Sequence, residues 1–153
     1  MKICVLSRYA FEVFLDQNQI SEQNIEKIKN IKIISILDTS GTYSIPFFQQ
    51  DHSNVITLKF DDITEDGNPS PTNLSKTTKA FDQQHAIKII KFVHQKNFKQ
   101  TESLIIHCAA GISRSGTIGM FINDLLKSES YPEFMKRNPR TFVNYHILNI
   151  LKK

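Results

Sequence analysis

The sequence predicts an α/β fold in which a mostly parallel sheet of about four to five strands is flanked by helices on both faces. Three observations predict it. Short β-rich runs recur along the chain, helix-period segments fall between them, and a loop of small residues joins the last β run to a helix. At 153 residues the chain is the size of one ordinary domain, so one domain over 1–153 is expected.

The β runs are "KICVL" at Lys2 to Leu6, "IKIISIL" at Ile31 to Leu37, "NVITLKF" at Asn54 to Phe60 and "SLIIH" at Ser103 to His107. Each is short, rich in β-branched residues and bounded by polar residues or breakers. Between the first two, Ser21 is placed to cap a helix over "EQNIEKIKN", whose Ile25 and Ile28 lie one turn apart. From Lys79 to Asn97, Ala86, Ile89, Ile90 and Val93 recur at i, i+3, i+4 and i+7, the spacing of a one-sided helix. Ile118, Phe121, Ile122 and Leu125 repeat that spacing, and Val143, Ile147, Ile150 and Leu151 mark a last helix. "DDITEDGNPSPTNLS", from Asp61 to Ser75, reads as a long surface loop, and loops of that length are often functional. In a parallel sheet of this kind ligands bind beyond the carboxyl ends of the strands.

Composition narrows the function classes. No apolar run approaches the roughly 20 residues that span a bilayer, and Arg8 and Glu12 interrupt the apolar start, so a soluble, unsecreted protein is expected. Two cysteines, Cys4 and Cys108, make no disulfide framework and fit a reducing compartment, with the cytoplasm as the default. The net charge of +4 favours acidic ligands, yet the lysines are scattered rather than gathered into a stripe, which argues against nucleic acid. His52, His85, His94 and His146 lack metal-ligand spacing, so no metal is expected.

The informative segment is "IIHCAAGISRSGTIG", read as strand, loop, helix. A loop of small residues there can turn successive N–H groups inward, and the helix N-terminus adds donors and a positive dipole end. Gly111 can supply a positive φ for that curl, and Arg114 can close the ring with a planar fork matching two oxygens of a tetrahedral oxyanion. Cys108 lies at the bottom. The groups that bind an oxyanion there would also favour the thiolate, so one construction serves both binding and nucleophilic attack. A free cysteine is more often an inert core residue, and Cys4, in an apolar strand, fits that description. Cys108, with Gly111, Arg114 and a helix behind it, does not.

"HCAAGISRS", His107 to Ser115, resembles the signature of the Cys-based protein tyrosine phosphatases: His-Cys, five residues, Arg, then Ser or Thr. Gly111 and the Ser113 to Ser115 triplet are most similar to its dual-specificity branch. The resemblance extends to "IISILD", to "FDDI", to "FDQQHAIKIIKFV" and, weakly, to "NPRTFVNYHILNIL", where Val143 stands in place of the usual Pro. It implies a hydrolase with a dual-specificity-like fold and no cofactor. Cys108 would attack phosphorus and become a phosphocysteine, and Arg114 would hold the equatorial oxygens. Ser115 would hydrogen-bond the departing thiolate, and His107 would orient Cys108 rather than act as a base. The backbone of Ala109, Ala110, Gly111, Ile112 and Ser113 would bind the phosphate, with Asn144 bracing the loop. The partner implied is a phosphorylated protein or peptide.

The family takes its general acid from an Asp upstream of the cysteine, and Asp61, Asp62 and Asp66 all qualify by position. If Asn54 to Phe60 is a strand, Asp62 shares a face with Ile56, Leu58 and Phe60, and Asp61 shares the other with Thr57 and Lys59. The family keeps its acid on the apolar side, so Asp62 is chosen, with Asp66 retained as the alternative. Asp38 and Asp66, beside Thr, Ser and Gly, read as turn residues. Other readings compete. "GISRSGT" mimics a nucleotide-binding loop but has Thr117 where that loop needs Lys. A low-molecular-weight phosphatase carries the loop near its N-terminus, the reverse of this order. A phospho-binding module without turnover would follow from loss of the acid. A phosphatase of inositol lipids or RNA 5′ ends would be better served by a basic loop than by Ala109, Ala110 and Ile112.

Overall fold

The structure, a computed structural model, describes residues 1–63, 79–96 and 98–153. Its sheet is built from β1 (Lys2–Leu6), β2 (Ile31–Leu37), β3 (Val55–Lys59) and β4 (Ser103–His107), all parallel, in the order β1-β4-β2-β3. The four runs read from the sequence are these four strands, with β3 one residue shorter at each end than Asn54 to Phe60. Among the described residues five α-helices accompany them: α1 (Arg8–Gln17), α2 (Gln83–Val93), α3 (Arg114–Leu126), α4 (Tyr131–Arg137) and α5 (Tyr145–Leu151).

Strand alternation divides the core in two. Ile34, Ile36, Leu58 and Ile106 face one way and pack with Ile89 of α2, Ile118 and Ile122 of α3, and Ile147 and Leu151 of α5. Ile33, Val55 and Ile105 face the other way, against Phe11 of α1, Ile20, Ile25 and Phe48. β4 lies between β1 and β2 and is buried from Leu104 to His107, so its carboxyl end opens on the middle of the sheet rather than on an edge.

The helices differ from the sequence reading at several points, and α4 was not read from it at all. The helix expected after Ser21 is only a short 3-10 turn, Ile25–Lys27. Asn24 is the cause, since its side chain accepts the Ser21 N–H at 2.8 Å and donates to the Gln19 carbonyl at 2.6 Å, bonds that compete with a helical ladder. The helix lies earlier, as α1. Ser7 caps it by accepting the Ala10 N–H at 3.1 Å, and Phe11, Phe14 and Leu15 give it a buried face at i, i+3 and i+4. α2 starts at Gln83 rather than Lys79 because Asp82 accepts from the Gln84 and His85 N–H groups while the His85 ring accepts from the Asp82 N–H. The expected loop, Asp61 to Ser75, lies outside the described residues from Thr64 onward, Asp66 included. Among the described residues no helix is long and apolar enough to cross a membrane.

His52 joins two surface segments and makes stability depend on pH. Its Nδ1 lies 2.8 Å from Glu26 Oε1 and its Nε2 contacts Glu22 Oε2. Hydrogen bonding to Glu22 raises the His52 pKa above its ordinary 6.5. The Gln49 N–H lowers Glu22, and His52 lowers Glu26, from an ordinary 4.5. The raised histidine contributes stability that is complete below its unfolded pKa and lost as pH rises through its folded value. The lowered glutamates contribute stability that is present above 4.5 and lost in acid. The drop in melting temperature of His52→Ala should therefore be largest at about pH 5.5 and shrink by about pH 8.5. A drop of equal size at both values would mean that the ring acts by packing alone.

Candidate active site

The loop from Cys108 to Ser113 bridges the carboxyl end of β4 and the first residue of α3, Arg114. Gly111 adopts φ +72°, and a Cβ there would stand 2.4 Å from the Ser7 nitrogen and 2.6 Å from the Leu6 carbonyl carbon. Glycine is thus required twice, by conformation and by contact. The close approach lets the end of β1 support the loop: the Cys108 N–H donates to the Leu6 carbonyl at 3.3 Å and the Arg8 N–H to the Ala109 carbonyl at 3.1 Å. On the other side the Phe142 N–H donates to the Ile112 carbonyl at 3.1 Å.

Cys108 is 2% exposed, and its Sγ lies 3.0 Å from Ser115 Oγ and 3.2 Å from the Gly111 nitrogen. A hydroxyl and an amide N–H aimed at one sulfur are the donors that a thiolate accepts. His107 is fully buried. Its ring stacks on Phe11 with centroids 4.2 Å apart, and its Nε2 lies 2.6 Å from Ser35 Oγ. Burial pushes the His107 pKa down to about 3, so the ring is neutral at pH 7. Its Nδ1 stands 3.5 Å from the Cys108 carbonyl oxygen, on the backbone side of the cysteine.

Arg114 is 5% exposed. Its Nη1 donates to Asp38 Oδ1 at 2.8 Å and to the Phe60 carbonyl at 2.9 Å, while Nε and Nη2 have no partner among the described residues. One arm of the fork is anchored, and the rest has the geometry to meet an oxyanion. Asp38, read from the sequence as a turn residue, is the anion that holds it. A signal for this was present: Asp38 follows β2 directly, at the carboxyl end of the strand beside β4, where parallel sheets assemble their sites.

Asp62 is brought to the same loop. Its Oδ1 accepts from Ser113 Oγ and from Asn144 Nδ2, both at 3.0 Å, and its Oδ2 has no partner among the described residues. Asn144 also donates to the Ile63 carbonyl at 3.0 Å, accepts the Ile147 N–H to cap α5, and donates its own N–H to Thr117 Oγ1 at 2.8 Å. It therefore braces the loop through Asp62 and α3, and does so with Val143, not Pro, before it. Asp61 points elsewhere. It is 1% exposed, and its carboxylate accepts from the Thr39 N–H at 3.1 Å, Thr39 Oγ1 at 2.5 Å and the Lys79 N–H at 2.7 Å. Asp61 and Asp62, which strand parity placed on opposite faces, have different partners, and Asp61 lies in a buried polar node. Ser35, Thr39 and the buried role of Asp61 were not read from the sequence.

A family model described as protein-tyrosine phosphatase matches residues 72–134, a stretch that takes in α2, β4, the cysteine loop, all of α3 and the start of α4. No curated protein sequence matches the chain. Among solved structures, the PTP-2 phosphatase of Cydia pomonella aligns with 99% of this chain and 84% of its own, at 14% identity and a TM-score of 0.52. Tk-PTP in its active form aligns over 86% of this chain and 84% of its own, at 16% identity and a TM-score of 0.47. PTPMT1 in complex with PI(5)P aligns over 99% and 88%, at 14% identity and a TM-score of 0.49. His107, Cys108, Arg114 and Ser115 are drawn together at the end of a central parallel strand, the protein-tyrosine phosphatase family model lies across that very segment, and the fold is similar to that of the PTP-2 phosphatase.

Proposed function

We propose that the protein hydrolyses phosphotyrosine, and with it phosphoserine and phosphothreonine, in proteins or peptides by a dual-specificity type of mechanism that needs no metal. The observation that carries the reading is Cys108 Sγ held between Ser115 Oγ and the Gly111 N–H, in a loop whose Arg114 is anchored on one arm by Asp38 and the Phe60 carbonyl. The Cys108 thiolate attacks phosphorus and the P–O bond to the substrate breaks. Asp62 gives its proton to the leaving oxygen. Water then attacks the phosphocysteine, Asp62 takes the proton, and orthophosphate departs as the sulfur recovers its electron pair under the Ser115 hydroxyl. Turnover on phosphopeptides, inositol lipids and triphosphorylated RNA, with EDTA present, tests the reading. Phosphopeptides are the expected substrates and EDTA is expected to have no effect. Turnover confined to lipid or RNA, or abolished by the chelator, overturns it.

Asp62 has a signature of its own. Two donors occupy Oδ1, which leaves Oδ2 to carry the proton. An alkoxide or phenolate of high pKa cannot leave without that proton, whereas an activated nitrophenolate nearly can, so Asp62→Asn should lose about 10²–10⁴-fold on phosphopeptides and much less on activated aryl phosphates. The basic limb of the pH–rate profile should flatten as well. If Asp66→Asn shows this pattern and Asp62→Asn does not, the acid has been assigned to the wrong carboxylate.

A further inference from the structure

We propose, resting on the reading above, that Asp61 is a positioning residue that ties Arg114 and Asp62, the phosphate-holding and proton-donating groups, to one buried carboxylate. The bonds form a closed ring. Arg114 Nη1 receives two acceptors, Asp38 Oδ1 and the Phe60 carbonyl, which come from different strand ends. The residue after Asp38 is Thr39 and the residue after Phe60 is Asp61, and these two are joined by the Thr39 N–H and Oγ1 bonds to the Asp61 carboxylate. The Thr39–Asp61 link is thus the cross-brace that keeps both acceptors on one guanidinium nitrogen.

The same residue fixes the segment that carries the acid. The Asp61 N–H donates to the Lys79 carbonyl at 2.7 Å and the Asp61 carboxylate accepts the Lys79 N–H at 2.7 Å, so the chain entering at 61 and returning at 79 is pinched together at its neck. Asp62 is one bond beyond that neck. A carboxylate suits the node because it only accepts, and the Thr39 N–H, Thr39 Oγ1 and the Lys79 N–H all donate to it; an Asn there would turn an NH₂ group toward one of them. Burying a charge is unfavourable unless it is hydrogen-bonded in this manner, and a loop that needed only a turn could have used a neutral residue.

The test uses Asp61→Asn, Thr39→Val and Thr39→Ser, with three readouts: inhibition by orthovanadate, dependence of the rate on leaving-group pKa, and melting temperature. Asp61→Asn should weaken vanadate inhibition and phosphopeptide turnover on the order of ten- to hundredfold and steepen the leaving-group dependence, because small displacements of reacting groups cost that much. Thr39→Val, which removes the Oγ1 donor, should move vanadate inhibition in the same direction, and Thr39→Ser, which keeps it, should restore most of the loss. Folded Asp61→Asn and Thr39→Val proteins with wild-type vanadate inhibition and wild-type leaving-group dependence overturn the inference, even if their melting temperatures fall. Should Asp61→Asn fail to fold, the Thr39 pair decides by the same criterion. A wild type without Cys108-dependent turnover overturns the functional reading and this inference with it; an active wild type with kinetically silent variants overturns the inference alone.

Discussion

Cys108→Ser is expected to abolish turnover while orthophosphate still binds. In the proposed mechanism the sulfur is the group that bonds to phosphorus, and it sits at the bottom of the loop with Ser115 Oγ at 3.0 Å and the Gly111 N–H at 3.2 Å. A serine hydroxyl in its place stays protonated near neutral pH, and the structure offers it no base. His107 is neutral, is packed on Phe11 and bonds to Ser35 on the far side of its ring, so it cannot take that proton. The loss should be on the order of 10⁶-fold, the size seen when a hydrolase's nucleophile is removed. The anion-binding parts are unaffected: Gly111 keeps its positive φ and Arg114 keeps its anchors. Calorimetric titration with orthophosphate should therefore give binding within a few-fold of wild type. Substantial residual hydrolysis by the variant would exclude the phosphocysteine route. Loss of phosphate binding together with turnover would mean that the thiol shapes the loop as well as reacting in it.

What was legible in the sequence is what local spacing encodes. Four strands could be read because runs such as Ile31 to Leu37 carry their own period and breakers, and the loop could be read because Cys108, Gly111, Arg114 and Ser115 fall within one strand-to-helix turn. Asp62 was reached by parity along β3, a rule that holds for any strand. What could not be read depends on which strands become neighbours. Asp38 and Arg114 are separated by 76 positions and meet only because β4 inserts between β1 and β2. The bond from Thr39 to Asp61 spans 22 positions and follows from the pairing of β2 with β3. Periodicity was silent on both. It also misplaced the first helix, because two isoleucines one turn apart after Ser21 look like a helical face until the Asn24 side chain is seen to take the backbone's bonds. In each case the missing information was a polar side chain choosing a backbone or charged partner, which hydrophobic patterning does not register.

The second large effect concerns that long-range pair. Arg114→Lys should lose about 10²–10³-fold or more in kcat/KM despite keeping its charge, comparable to removal of an oxyanion donor. The reason is geometric. Arg114 uses one nitrogen, Nη1, for Asp38 and the Phe60 carbonyl, and so fixes the plane in which Nε and Nη2 can meet two phosphate oxygens. A lysine has a single nitrogen. Placed where Nη1 now stands, it satisfies Asp38 and Phe60 with two of its three N–H bonds and offers the anion one; moved toward the anion, it leaves a half-buried carboxylate without its partner. Either choice forfeits the paired contact. Because the ammonium preserves the charge beside Asp38, the melting temperature should change far less than the rate, and orthovanadate inhibition should weaken along with kcat/KM. Asp38→Asn supplies the complementary measurement. It keeps an oxygen that can accept from Nη1 but removes the charge, so its loss should be smaller than that of Arg114→Lys and lie in vanadate affinity as much as in rate. Near-normal kinetics for Arg114→Lys would mean that the guanidinium holds the loop to β2 and does not hold the phosphoryl group.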